Sequence, residues 1–194
     1  MRLEIIKNNY LYVPGFITKD EAHLLANQFK EHCTKFNIQG DSQAPNSHAI
    51  YNFLPFVKLL VKKISHVNEL LGEEVLPTYT YARVYKNESV LERHRDRPAC
   101  EISLSINLEK DIDWPFYFQR PDNSETSVEL NPGDAVLYLG YQADHWRNKF
   151  EGKEHTQLFM HYVKSNGTKS WAFFDKQQQQ TPTTSVTNLP ITIL

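Results

Sequence analysis

Near residue 77 the chain changes its hydrophobic period, and that change limits the folds open to it. Upstream the spacing is helical. Thr18-Lys19-Asp20-Glu21 sets a hydroxyl and a glutamate three residues apart, as in a capping box. Ala22, Leu25, Ala26, Phe29, Cys33 and Phe36 follow at steps of three and four and predict one helical face. A second helix is expected from near Asn52 to near Gly72, with Pro55 in its first turn and Phe53, Val57, Leu60, Ile64, Val67 and Leu71 on one side. Downstream of Pro77, aromatic and β-branched runs alternate with turn signals about every ten residues. Strands are expected over 78–86, 100–107, 115–119, 126–130, 134–139 and 155–163, with Asn131-Pro132-Gly133-Asp134 as a tight turn. Residues 3–13 read as one or two short strands before the Pro14-Gly15 turn, and 38–50 as a loop. Helices followed by about six to eight strands describe a mainly β chain, an antiparallel sandwich buttressed by N-terminal helices.

The 194 residues suit one domain over 1–175, with supporting elements in 1–76 and the β core in 77–163. Residues 176–194, with Gln177 to Gln180 and then Thr, Pro and Ser, read as a low-complexity tail. A net charge of -2 with mixed signs shows no nucleic-acid footprint. The most apolar stretch, Phe53 to Val61, contains Pro55 and Lys58 and is too short for a bilayer. MRLEIIKNNY lacks the apolar segment of a signal peptide, and the Asn-x-Ser/Thr triplets at Asn87 and Asn166 read as chance. Two cysteines, Cys33 and Cys100, make no disulfide framework, so a reducing cytoplasm is expected.

His94-Arg95-Asp96 follows the first long strand, and His145 follows the strand Ala135–Leu139. Residues i and i+2 of an extended segment point the same way, so His94 and Asp96 can reach one metal. Two imidazoles and a carboxylate on one face of an octahedral iron(II) leave three positions open for a co-substrate and O2. The same period places Arg83 beside Tyr85 on one strand face, and His155, Gln157, Phe159 and His161 together on another. The latter face is expected to line a cavity. Trp114 and Trp146 are expected to pack, and His23, His32, His48 and His66 carry no assigned role.

These motifs resemble, in their order, the prolyl 4-hydroxylase-like branch of the iron(II)/2-oxoglutarate oxygenases. The resemblance rests on Tyr81-Ala-Arg-Val-Tyr85, His94-Arg-Asp96, Ile102-Ser-Leu-Ser-Ile-Asn107-Leu, Asn131-Pro-Gly-Asp134-Ala-Val-Leu-Tyr, Asp144-His145-Trp-Arg147 and His155-Thr-Gln157-Leu-Phe-Met-His161. It covers residues 77–163, and Phe16 to Glu21 resembles the family's entry segment. It implies a double-stranded β-helix, a jelly-roll variant. It also implies iron(II) on His94, Asp96 and His145, 2-oxoglutarate as co-substrate, O2 as oxidant, ascorbate as reductant, and hydroxylation of a substrate such as peptidyl proline. The family sets an Arg or Lys about nine or ten residues after the distal histidine to grip the far carboxylate of 2-oxoglutarate. Here His155 holds that place, with Lys153 two residues earlier. Arg83 and Arg147 are the basic candidates for the grip, with Tyr85, Ser105 and His155 as donors, and Gln157 and His161 lining the pocket. The loop 38–51 and the segment 86–93 are expected at its mouth. Two other readings share the fold: a cupin-like zinc or manganese protein using His94, His145 and a third histidine such as His155, and a non-catalytic binding or structural module.

Overall fold

The computed structural model describes residues 2–175, so the low-complexity tail expected after 175 lies outside the described residues. The elements in chain order are α1 (Arg2–Asn8), β1 (Tyr10–Val13), α2 (Lys19–Lys35), β2 (His48–Tyr51), α3 (Leu54–Lys62), α4 (Ile64–Leu71), β3 (Val75–Lys86), β4 (Leu91–His94), β5 (Ile102–Lys110), β6 (Phe116–Gln119), β7 (Glu125–Val128), β8 (Ala135–Tyr138), β9 (His145–Arg147) and β10 (Glu154–Lys164). A six-stranded sheet runs β1-β8-β5-β10-β3-β2 and a four-stranded sheet runs β4-β9-β6-β7. Every strand pair is antiparallel. From β3 onward the chain passes back and forth between the two sheets, which is the winding of a double-stranded β-helix.

The large sheet has two chemically different faces. Ile102, Leu104, Ile106 and Leu108 of β5 and Leu158, Met160 and Tyr162 of β10 point outward into the main core with Phe29 of α2, Phe56 and Leu60 of α3 and Val67 of α4. Each such buried side chain contributes about 1.5–3 kcal/mol. The Tyr162 hydroxyl donates to the Leu60 carbonyl at 2.8 Å, which fastens α3 to β10. The inner face carries Ser103, Ser105 and Asn107 of β5, Arg83 and Tyr85 of β3, and His155, Gln157 and His161 of β10, all buried. Period-two alternation therefore sends apolar groups to the helices and polar groups between the sheets.

Helix α2 begins where the capping box predicts, with the Glu21 N–H donating to Thr18 Oγ1 at 3.1 Å. Ala22, Leu25, Ala26, Phe29 and Cys33 are buried on its inner face, but Phe36 sits at the C-cap and is exposed. Residues 2–8 form a helix rather than the expected strand; only Tyr10–Val13 pairs, along β8. The expected helix from Asn52 to Gly72 is two helices, broken at Lys63, whose ammonium donates to the Phe16 carbonyl and lies 4.6 Å from the Phe16 ring. The segment 38–50 is not all loop, since His48–Tyr51 pairs with β3. Two strands absent from the sequence reading, β4 and β9, form the part of the small sheet that carries the histidines.

The Pro-Gly-Asp turn has a structural task. Asp134 accepts hydrogen bonds from the Tyr12 hydroxyl at 2.7 Å, the Gly15 N–H at 2.9 Å and the Asn131 N–H at 3.0 Å. Gly133 has φ +95°, and a Cβ there would lie 2.5 Å from the Ile17 carbonyl oxygen. The turn thus clamps the entry segment to the sheet, and only glycine fits the close approach.

Candidate metal centre and its cavity

His94 ends β4 and His145 opens β9, and the two are direct partners across that strand pair. Their rings lie 4.3 Å apart, centroid to centroid. Asp96 follows β4, and its N–H donates to the Gly140 carbonyl at 2.9 Å, which ties it to the segment after β8. Its Oδ1 lies 3.6 Å from His94 Nε2 and 3.5 Å from His145 Nε2. All three ligand atoms lie within 4.8 Å of one another. Ligands at right angles about 2.1 Å from an octahedral ion are ~3.0 Å apart, and the two sides that meet at Asp96 Oδ1 are roughly half an ångström longer than that.

The far nitrogen of each imidazole is occupied by backbone. His94 Nδ1–H donates to the Glu92 carbonyl at 2.7 Å and His145 Nδ1–H to the Ala143 carbonyl at 2.9 Å. With Nδ1 so occupied, both Nε2 atoms face Asp96, where they can donate to its carboxylate in the metal-free protein and where an ion would replace their protons. Burial alone would raise the Asp96 carboxyl, but the His145 and His94 imidazoles beside it hold it well below the usual carboxylate range. Ser103 Oγ–H donates to Asp96 Oδ2 at 3.2 Å and accepts from His161 Nδ1–H at 2.9 Å. Burial lowers His161 to about 4, so it is a neutral link in that chain at ordinary pH. Two imidazoles, one carboxylate and satisfied outer contacts suit a divalent first-row ion.

The triad opens onto a cavity of about 240 Å³. Arg83, Tyr85 and His161, named from the sequence, line it with the triad, as do Tyr51, Tyr79 and Tyr81. Arg83 is 1% exposed and pairs with Asp41, which reaches in from the segment before β2. It also donates to Tyr85 Oη at 3.2 Å, Tyr81 Oη at 2.8 Å and Gln43 Oε1 at 3.2 Å. The mouth therefore takes residues from the segment 38–51, as expected, while Leu91 of β4 lines it from the other side.

Ser105, Gln157, His155 and Arg147, also named from the sequence, are buried between the sheets but are not among the residues lining this cavity. Gln157 Nε2 donates to Ser105 Oγ at 2.8 Å, and Gln157 Oε1 lies 2.8 Å from His155 Nε2. Burial and the neighbouring Arg147 push His155 well below the usual histidine range. Arg147 is 2% exposed, and burial lowers it to about 10, so it remains charged at neutral pH. His155 is not among the clustered ligands, so the three-histidine site of the zinc or manganese reading is not formed; the nearest extra histidine to the triad is His161, through Ser103. Trp114 packs in the interior against Tyr85 at 4.9 Å, whereas Trp146 stacks on Tyr117 at 5.5 Å on the other side of the small sheet. Sequence reasoning missed Tyr79, Tyr81 and Ser103, although stepping back by two from Tyr85 and Ser105 reaches all three. Nothing in the sequence marks Asp41 or Gly140.

No protein-family model and no curated protein matches the sequence. Solved structures do match the fold. A prolyl-4-hydroxylase from Pseudomonas putida superposes with a TM-score of 0.66 at 15% identity, covering 83% of this chain and 95% of that one. The non-haem α-ketoglutarate-dependent epimerase SnoN of nogalamycin biosynthesis gives 0.69 at 13% identity over 98% and 93% of the two chains. HygX from Streptomyces hygroscopicus, with nickel and 2-oxoglutarate bound, gives 0.63 at 14% identity over 87% and 88%. The chain shares their fold. No helix among the described residues is long and apolar enough to cross a membrane.

Proposed function

We propose that this chain is a non-haem iron(II), 2-oxoglutarate-dependent oxygenase acting as a hydroxylase. The observation that carries the reading is the convergence of His94 Nε2, His145 Nε2 and Asp96 Oδ1 at the cavity floor, with both Nδ1 atoms already bonded to backbone carbonyls. The fold is one in which HygX carries nickel and 2-oxoglutarate, so the donor set and its framework point the same way.

When bound, iron(II) with 2-oxoglutarate and O2 supplies oxidative decarboxylation of the keto acid coupled to oxidation of a substrate C–H bond. The protein supplies position and exclusion. His94, Asp96 and His145 would hold the ion, and Tyr79, Tyr81 and Tyr138 line the same cavity, where co-substrate and substrate would bind. Ser103, itself bonded to His161 Nδ1, donates to Asp96 Oδ2, which would leave Oδ1 for the ion. Tyr85 and Arg83 line the cavity the co-substrate would fill, and Gln157, Ser105 and His155 form a hydrogen-bonded polar cluster of their own between the sheets. Tyr51, Tyr81 and Phe159 make an aromatic wall near the mouth, with ring centroids 4.5 and 6.2 Å apart along it. A peptidyl proline ring, small and without an N–H, suits that wall and is the substrate class we favour. Ascorbate is the reductant that would keep the ion ferrous. A reducing cytoplasm fits two buried free thiols, Cys33 and Cys100.

Metal loading tests the reading. Anaerobic Co(II) titration of the wild type should give one equivalent with visible bands of an octahedral site, and His94→Ala, Asp96→Ala or His145→Ala should each lose it. Binding of equal strength in all four proteins would reject the site.

A further inference from the structure

A second group of metal-ligating side chains stands beside the triad and shares only Asp96 with it. One carboxylate oxygen of Asp96, Cys100 Sγ and one ring nitrogen of His161 all lie within 4.8 Å of one another. All three residues line the metal cavity, so an ion entering from its mouth meets them. The turn Pro98–Cys100 carries the thiol, β10 carries the imidazole, and the segment after β4 carries the carboxylate. The Thr78 hydroxyl donates to the Ala99 carbonyl at 2.9 Å and so pins the turn beside the cavity. Tyr79 Oη lies 2.9 Å from Cys100 Sγ and is a fourth donor at the same place. Outer contacts hold the set in position. Arg97 Nε donates to Tyr79 Oη at 3.3 Å, and Ser103 Oγ bonds Asp96 Oδ2 at 3.2 Å and His161 Nδ1 at 2.9 Å. Cys33, the other thiol, lies in the main apolar core, so Cys100 is the thiol placed to meet an ion.

We propose that Asp96, Cys100 and His161 form a second metal site, for a thiophilic divalent ion such as Zn(II), and that an ion there antagonises iron at the triad. Thiolate and imidazole ligands select zinc over the harder iron(II) and manganese(II). Cys100 binds as the thiolate, its proton passing to solvent, so one thiolate and one carboxylate balance the dication. The Tyr79 hydroxyl or a water completes four-coordination. Donors about 2.0–2.3 Å from a tetrahedral zinc stand roughly 3.3–3.7 Å apart, so sides of up to 4.8 Å shorten as the ion binds. That contraction draws the Asp96 carboxylate toward Cys100 and His161. Two dications that share one carboxylate also repel each other. Each ion therefore weakens the other by the same factor. The antagonism rests on the iron-site reading above; the zinc site itself does not.

The test is anaerobic titration with Cd(II), whose thiolate complexes have an ultraviolet charge-transfer band. The wild type should develop the band with one equivalent of Cd(II). Cys33→Ala and His94→Ala should keep it, because neither removes a ligand of the second site. Cys100→Ala should abolish it, and His161→Asn should weaken the Cd(II) binding behind it by about 10-fold or more. Mn(II) uptake by the wild type, read by electron paramagnetic resonance, should weaken by about 10-fold or more once one Cd(II) is bound, within the usual range of coupling between sites. Cys100→Ala should lift that effect. A wild type without the band overturns the site, and this measurement needs no variant to fold. A band that survives in Cys100→Ala, or vanishes in His94→Ala, overturns it too. Mn(II) uptake that Cd(II) leaves unchanged, or weakens equally in Cys100→Ala, overturns the antagonism. A wild type that takes up no Mn(II) even without Cd(II) overturns the iron-site reading, and the band then still decides the zinc site.

Discussion

The main chain at Gly140 is packed directly on the Asp96 carboxylate: its carbonyl accepts the Asp96 N–H at 2.9 Å, and it has no side chain to push the ligand away. A Cβ at Gly140 would also lie 2.6 Å from Ser103 Oγ and 2.7 Å from the Cys100 carbonyl oxygen. Gly140→Ala should therefore displace Asp96. Overpacking of this kind costs about 1–3 kcal/mol, and metal affinity should fall by about 10- to 100-fold. Thermal unfolding and a metal titration on the same sample check both effects. Wild-type values for both would show that the loop yields freely.

Ser103 links the metal ligand to the interior. Ser103→Ala removes the donor to Asp96 Oδ2 and the acceptor for His161 Nδ1, at 3.2 and 2.9 Å. The expected result is about a 10-fold or greater loss of metal affinity with the three ligands intact. Ser103→Thr keeps the hydroxyl and should recover most of it. Equal affinity for Ala and Thr variants would assign Ser103 to packing alone.

The triad was legible because its chemistry follows backbone period: a His-x-Asp in an extended segment converges on one point, and the ordered motifs around it fixed the winding. Strands β4 and β9 were not legible, because Leu91-Glu92-Arg93-His94 and His145-Trp146-Arg147 are short and polar and show no alternation to read. Residues 2–8 carry Ile5 and Ile6, β-formers by preference, yet are helical, with Ile5 in the main core. Local preference yields there to burial. Asp41 reaches Arg83 across about forty residues of sequence, a pairing created by the return of the chain along β2. The sequence left Arg83 and Arg147 as equal candidates for the carboxylate; the fold gives Arg83 a countercharge in Asp41 and, among the described residues, none to Arg147.

Asp41 is the pin that holds the segment before β2 over the cavity, through Arg83, the Tyr81 hydroxyl and the N–H groups of Gln43 and Ala44 at 3.0 Å. Asp41→Asn leaves a buried guanidinium without its countercharge, at a cost of about 1–3 kcal/mol. Hydrogen exchange over residues 39–51 should speed up while the helices covering the large sheet keep their protection. Unchanged exchange there would mean that the segment is held by β2 alone.

Acid should destabilise the metal-free protein well above the carboxylate range. His161 is lowered from 6.5 to about 4 by burial, and His155 is lowered too. Between those values the unfolded chain binds protons that the folded chain refuses, so stability falls as pH drops from about 6.5 toward 4. One such histidine is worth on the order of 3 kcal/mol over that window. Asp96 acts lower: its depressed carboxyl keeps its stabilisation until pH falls well below the window. His94, raised by Asp96 and the Glu92 carbonyl against the lowering by burial, works weakly the other way, its stabilisation being lost as pH rises through its folded value. Urea unfolding at several pH values, repeated for His161→Asn, checks the sign: the variant should show a shallower slope between pH 6.5 and 4. An identical slope would remove His161 from the account.

The most direct test of the central claim is uncoupled turnover: succinate formed from 2-oxoglutarate under air with Fe(II) and ascorbate, in the wild type and in Asp96→Ala. The account predicts Fe(II)-dependent succinate in the wild type, abolished by chelator, and at least about a 1000-fold lower rate in Asp96→Ala, the scale of losing an essential metal. Succinate formed at the same rate by both proteins, or none formed by an iron-loaded wild type that binds 2-oxoglutarate, would contradict it.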